Sequence, residues 1–219
     1  MIQLIASDGH QFDAYRAAPA GKPRGALVVM QEIFGVNSHI RSVTDGYAAQ
    51  GYLAIAPALF DRVRRNVWLG YTPEDIAAGR ELKAASPADT ALLDIAAAVQ
   101  AGADAGKVGI VGFCWGGFLA WMAAATQPSV SCAVPYYGGG ILDAADVVLR
   151  RPVMCHFGER DAMIPVDGVR KLAAKYSDQQ MFIYPAEHGF NCDQRRSYDA
   201  PSAKLAQERT LQFLRQHIG

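Results

Sequence analysis

Val108-Gly109-Ile110-Val111, followed by Gly112-Phe113-Cys114-Trp115-Gly116-Gly117 and then Phe118 to Ala125, reads as a buried strand, a very tight turn and a buried helix. The first run is apolar and β-prone, and the last is apolar and rich in helix formers. Glycines two before and two after Cys114 let backbone segments approach where a Cβ would clash. The cysteine at the apex is then held out on a sharp corner at the C-terminal edge of a sheet.

Working outward from this turn, runs of apolar residues alternate with segments of helical period. Residues 2–6 and 11–17 are short β-prone runs separated by Ser7-Asp8-Gly9, a hairpin signal. Ala26 to Met30 and Leu53 to Ala56 are continuous apolar runs, as expected of strands covered on both faces. Between them Ile40, Val43 and Tyr47 mark a helical face, with Asn37 or Ser38 as its cap. Residues 58–72 have no clear period and are predicted to be a long loop. Thr72-Pro73-Glu74-Asp75 starts a helix, and Leu92, Ile95, Ala96 and Val99 form the stripe of the next. Beyond the tight turn, further strands are predicted at 131–136, 152–157 and 181–184, with helices near 167–176 and 202–217. This alternation predicts an α/β fold, a mostly parallel central sheet with helices on both faces. Repeats and linkers are absent from the pattern, so residues 1–219 are read as one domain.

Composition narrows the function. Twenty-one basic and 21 acidic residues balance, which points away from nucleic acid and from an acidic membrane surface. The clusters Arg62-Arg64-Arg65, Arg150-Arg151 and Arg195-Arg196 are read as solvated surface. The first ten residues lack the basic and apolar regions of a signal peptide, and no run has the length of a membrane span. Four cysteines at irregular spacings, Cys114, Cys132, Cys155 and Cys192, do not form a disulfide framework, so a reducing cytoplasm is the expected compartment. Cys132 and Cys155 lie in apolar runs and are read as inert core.

Strand, Gly-x-Cys-x-Gly and helix together resemble the nucleophile elbow of the α/β-hydrolases, with cysteine in place of serine. The helix N-terminus behind Cys114 favours an anion there. Such a nucleophile needs a base and an orienting acid, which in this fold follow in the order nucleophile, acid, histidine. Asp161 follows the strand at 152–157, and His188 follows the one at 181–184. The amide of Trp115, and that of Ile33 in the loop after Ala26–Met30, are the candidate oxyanion donors. Glu32, beside Ile33, is a carboxylate close to where negative charge would develop. A metal site from His188 and Cys192 lacks a second pair of ligands, and no metal or other cofactor is expected.

The segments Gln31 to Asn37, Gly112 to Gly117, Tyr136-Tyr137-Gly138, Gly158 to Asp161 with Ile164-Pro165, and His188-Gly189-Phe190 resemble the dienelactone hydrolase (carboxymethylenebutenolidase) family. The resemblance implies a lidless α/β-hydrolase fold and a Cys114–His188–Asp161 triad that cleaves an ester or lactone through a thioester. It implies that Glu32 contacts the resting thiol until substrate moves it, and that Tyr137 borders the substrate. Keeping the thiol protonated at rest protects it from oxidation. Two arginines of the family grip a substrate carboxylate. Arg80 is the nearest match to one, whereas the position of the other, four residues after the histidine, is Cys192. Arg195 or Arg196 is the candidate replacement. The expected partner is a small ester or lactone, acted on by a monomer. The alternatives are a general carboxylesterase of the same fold, a cysteine amidase or glyoxalase-like enzyme resembling the glutamine amidotransferases, and a non-catalytic binding protein or redox sensor. The amidotransferase-like enzymes carry histidine after the nucleophile, where this chain has Trp115, and an intact acid–histidine pair argues against the sensor.

Overall fold

The computed structural model describes all residues, 1–219. Eight strands form one sheet: β1 (Ile2–Ile5), β2 (Gln11–Ala17), β3 (Ala26–Met30), β4 (Leu53–Pro57), β5 (Val108–Phe113), β6 (Val130–Tyr136), β7 (Met154–Gly158) and β8 (Gln180–Tyr184). Their spatial order is β1-β2-β4-β3-β5-β6-β7-β8. From β4 to β8 every pairing is parallel, while β1–β2 is the predicted hairpin and β2 runs antiparallel to β4. The continuous apolar runs occupy the centre, where every residue of β3, β4 and β5 is buried. The edge strand β8 keeps partly exposed positions.

Six α-helices cover the sheet: α1 (Ser38–Ala49), α2 (Pro73–Ala84), α3 (Ala88–Gly102), α4 (Trp115–Thr126), α5 (Val166–Lys175) and α6 (Ala200–His217). Their starts follow local chemistry. Asn37 accepts from the Ile40 amide, and Thr72 and Asp75 form a reciprocal capping box at α2. Helices α3 and α4 pack against each other over β3 to β6, while α1 and α6 flank a common cavity on the opposite face. One core of 53 buried residues runs through these layers. Cys132 and Cys155 belong to it, and burial pushes the Cys132 thiol up to about 12. The connection between β6 and β7 contains turns and no lid-sized insertion.

Arg62 corrects the reading of its cluster as solvated surface. The loop at 58–72 contains a 3-10 turn, Leu59–Arg62, that swings this guanidinium inward. It pairs with Asp94 of α3 through two hydrogen bonds of 2.8 and 2.7 Å, and with Asp8 of the hairpin turn at 2.7 and 3.2 Å. The Asp94 side chain is fully buried, whereas that of Arg62 keeps 16% exposure. Burial pushes the Asp94 carboxyl up, and the Arg62 hydrogen bonds oppose that shift. Arg62→Ala would leave this carboxylate buried and unpaired, and should cost about 3 kcal/mol in urea-unfolding stability. A loss below about 1 kcal/mol would mean that water reaches the pair.

Candidate active site

Close packing forces the turn after β5. A Cβ on Gly112 would lie 2.0 Å from the Gly116 carbonyl oxygen, and one on Gly116 would lie 2.6 Å from those of Met30 and Gln31. Only hydrogen fits at either position. Between them Cys114 takes φ 54° and ψ −114°, a conformation costly for a side-chain-bearing residue. The Cys114 amide donates to Tyr136 at 3.0 Å, and the Gly116 amide to Gln31 at 3.1 Å, which ties the corner to β6 and to the loop after β3. The sulfur is partly accessible, directly before the first residue of α4.

Asp161 and His188 meet at the ends of the adjacent strands β7 and β8. Asp161 Oδ2 lies 2.7 Å from His188 Nδ1, and its Oδ1 accepts from the Met163 amide at 2.8 Å. Both oxygens of this buried carboxylate are therefore committed. His188 Nε2 is buried without a well-formed hydrogen bond, although the Cys114 sulfur is close enough to act on the ring. Burial alone would push the His188 imidazolium down; the Asp161 hydrogen bond and the neighbouring sulfur outweigh it and raise the group to about 10. The protonated ring, held at Nδ1 by Asp161, therefore turns its Nε2 to the Cys114 sulfur.

The Ile33 amide makes no hydrogen bond within the chain. The Trp115 amide opens α4 and belongs to the set an α-helix leaves without an intrahelical acceptor. The Trp115 ring stacks on Phe60 with centroids 5.2 Å apart, anchoring the start of the helix.

Glu32 is 1% exposed and engaged by Arg195, whose Nη1 donates to Oε1 at 3.0 Å. It makes no hydrogen bond to Cys114. Its second oxygen, Oε2, is buried without a partner. Of the two candidate arginines, Arg195 is the one that reaches inward, and it corrects the surface reading of that pair. Its guanidinium lies over the rings of Phe34 and Tyr71, 5.7 and 5.9 Å from their centroids, and its side chain keeps 20% exposure. The turn carrying His188 makes room for it. Gly189 has φ 79°, and a Cβ there would lie 2.4 Å from Arg195 Nη1. Arg196 is exposed, and with Arg195, Tyr71, Ile76 and Glu187 it lines an open cleft of about 550 Å³.

Tyr137 is fully buried rather than on the cleft wall. Its ring meets His188 edge-on at 5.1 Å, and its hydroxyl has no partner. Arg80 is exposed on α2, one turn beyond Ile76, and makes no ion pair or hydrogen bond. Cys192, where the resemblance calls for arginine, is fully buried with its sulfur 3.2 Å from the Tyr71 hydroxyl. Burial, then the Glu32 charge, push its thiol up to about 11. Sequence reasoning missed Tyr71 and Phe34 as the shelf under Arg195. Tyr71 lies in the loop that shows no period, and it carries no local signal.

Known proteins match this chain over nearly its whole length. The model of the dienelactone hydrolase family matches residues 12–218. A Synechocystis protein provisionally named carboxymethylenebutenolidase is 35% identical, with 99% of this chain and 96% of that protein aligned. The carboxymethylenebutenolidase of Pseudomonas putida is 32% identical over 97% and 94% of the two chains. A crystal structure from Klebsiella pneumoniae, provisionally named a dienelactone hydrolase, superimposes with a TM-score of 0.84 at 34% identity, covering 99% of both chains.

Proposed function

The chain belongs to the dienelactone hydrolase family and is a carboxylic ester hydrolase; we propose that it opens an ester or lactone through a thioester on Cys114. The observation that carries this reading is the bonded Asp161–His188 pair, whose free Nε2 lies beside a sulfur held on a strained corner.

In this reading the Cys114 sulfur attacks the carbonyl carbon, and the amides of Ile33 and Trp115 receive the developing oxyanion. Collapse of the tetrahedral intermediate expels an alkoxide, which takes the proton from His188 Nε2. In a lactone that alkoxide stays tethered to the acyl group. Nε2 then accepts a proton from water as the water attacks the thioester, and Cys114 leaves as thiolate beside an imidazolium. Asp161 holds the proton of the neutral ring on Nδ1 throughout, and stabilises the ring when it is charged.

The substrate class follows from Arg195. A cation at the cleft, partly exposed and paired with a buried carboxylate, suits a substrate that brings its own carboxylate. Arg195 thereby replaces the arginine missing at Cys192. Drawing the guanidinium towards substrate leaves Glu32 less neutralised, and its free Oε2 becomes an acceptor for a thiol proton near Cys114. That couples arming of the thiol to substrate arrival.

The test compares a carboxylate-bearing lactone with a neutral ester in Arg195→Gln, following acid release. The ratio of kcat/KM values, carboxylate-bearing over neutral, should fall about 10- to 100-fold, the worth of a charged hydrogen bond. Using the ratio cancels the common effect of leaving Glu32 unpaired. An unchanged ratio would remove Arg195 from substrate recognition, and failure of the wild type to hydrolyse either compound would remove the hydrolase reading.

A further inference from the structure

Beside the active site, but outside the triad, the loop after His188 meets the start of α1 through side chains that the proposed reaction does not use. Cys192 and Asp193 come from the loop and His39 from the first turn of α1. One donor atom of each, an imidazole nitrogen, a sulfur and a carboxylate oxygen, lie within 4.8 Å of one another. His39 is 2% exposed, Cys192 is fully buried, and the Asp193 side chain is 62% exposed. We infer that His39, Cys192 and Asp193 form a binding site for one divalent, borderline-soft cation of the Zn²⁺ type.

Donor chemistry favours this class of ion. Sulfur, imidazole nitrogen and a carboxylate oxygen are the set that Zn²⁺ takes from proteins, with water as the fourth ligand. Hard oxygen-seeking cations would find only one suitable donor. Charge favours it as well, because a thiolate and a carboxylate neutralise a 2+ ion while the imidazole stays neutral. Distances also agree. His39 Nδ1 and Asp193 Oδ1 are 3.1 Å apart, near the roughly 3.3 Å separating nitrogen and oxygen ligands around a tetrahedral Zn²⁺ with bonds of about 2.0 Å. The sulfur has to close from at most 4.8 Å to about 3.6 Å, which a side-chain rotation of Cys192 can supply.

The imidazole is electronically free for the role. At present Nδ1 faces the Asp193 carboxylate while Nε2 is buried without a partner. Moving the ring proton to Nε2 frees the Nδ1 lone pair for the ion and abandons no hydrogen bond at Nε2. Binding displaces the Cys192 thiol proton to solvent, so one proton is released per ion bound. The Tyr71 hydroxyl, which now accepts from the thiol at 3.2 Å and from Asn37 Nδ2 at 3.1 Å, can turn its own proton to the bound sulfur as an outer hydrogen bond. An entry path is present. The cavity of about 350 Å³ between α1 and α6 is lined by both His39 and Asp193, and none of the triad residues lines it.

Cys114 and His188 could also capture a soft cation, so the experiment starts from Cys114→Ala. This protein should bind one equivalent of Zn²⁺ in competition with a chromophoric chelator. With Co²⁺ it should develop an intense thiolate-to-metal charge-transfer band. Adding Cys192→Ala should abolish the band, and adding His39→Gln or Asp193→Asn should weaken binding more than about tenfold. Asp193 is largely exposed, so its variant decides the matter if the Cys192 variant misfolds by near-UV circular dichroism. No uptake by Cys114→Ala, or uptake that survives Cys192→Ala and Asp193→Asn unchanged, would overturn the inference.

Discussion

Cys114→Ala is expected to lower kcat for an activated ester by about 10⁴-fold or more, with KM changed much less. The size follows from what the substitution removes. A triad acts as a unit, so loss of the nucleophile abolishes the covalent route, and only binding and oxyanion stabilisation persist. The variant should fold, because alanine is a truncation at a partly exposed apex whose φ of 54° is fixed by Gly112, Gly116 and the 3.0 Å bond from the Cys114 amide to Tyr136. A circular dichroism spectrum matching wild type, together with a residual rate near background, is the expected pair of results. Turnover within tenfold of wild type would assign the nucleophile elsewhere.

Asp161→Asn should cost nearly as much, about 10³- to 10⁴-fold in kcat, by a different route. In the native protein the Met163 amide donates to Asp161 Oδ1 at 2.8 Å while Oδ2 faces His188 Nδ1 at 2.7 Å. The same amide would hold the carboxamide oxygen of an asparagine, turning its NH₂ towards Nδ1. That group donates, so the ring proton must move to Nε2, where it blocks the lone pair that should take a proton. Loss of the carboxylate also removes the hydrogen bond that offsets burial and helps hold His188 at about 10. The imidazolium should therefore titrate at lower pH in the variant, which NMR of the His188 ring protons would detect. A variant with near-native kcat would show that Asp161 only fills space.

Much of the fold is legible in the sequence because its centre is written in continuous apolar runs. Ala26–Met30, Leu53–Pro57 and Val108–Phe113 are buried at every position, and burial on both faces is what such runs encode. The turn at Cys114 is legible for a similar reason, since Gly112 and Gly116 stand where any side chain would strike backbone. Asp161 and His188 could be placed at strand ends because the topology fixes their order.

Arginine partners were not legible in the same way. Arg62 and Arg195 sit in segments without period, and their partners Asp94 and Glu32 are 32 and 163 residues away. A guanidinium on a loop is described by composition alone until the fold shows what faces it. Cys192 shows the limit from the other side. Matching by position predicts an arginine there, whereas the guanidinium that reaches Glu32 comes from three residues later, through space that Gly189 leaves open. Tyr71 escaped notice because its role, under Arg195 and against Cys192, arises only where three separate loops converge.

The covalent intermediate on Cys114 is the central claim, and it can be read by mass. Wild-type protein is mixed with excess activated ester, quenched in acid during turnover, and mapped by peptide mass spectrometry. One acyl group, released by hydroxylamine, should lie on the peptide containing Cys114, with Cys192 unmodified. An acyl group on any other residue during full turnover would contradict the account.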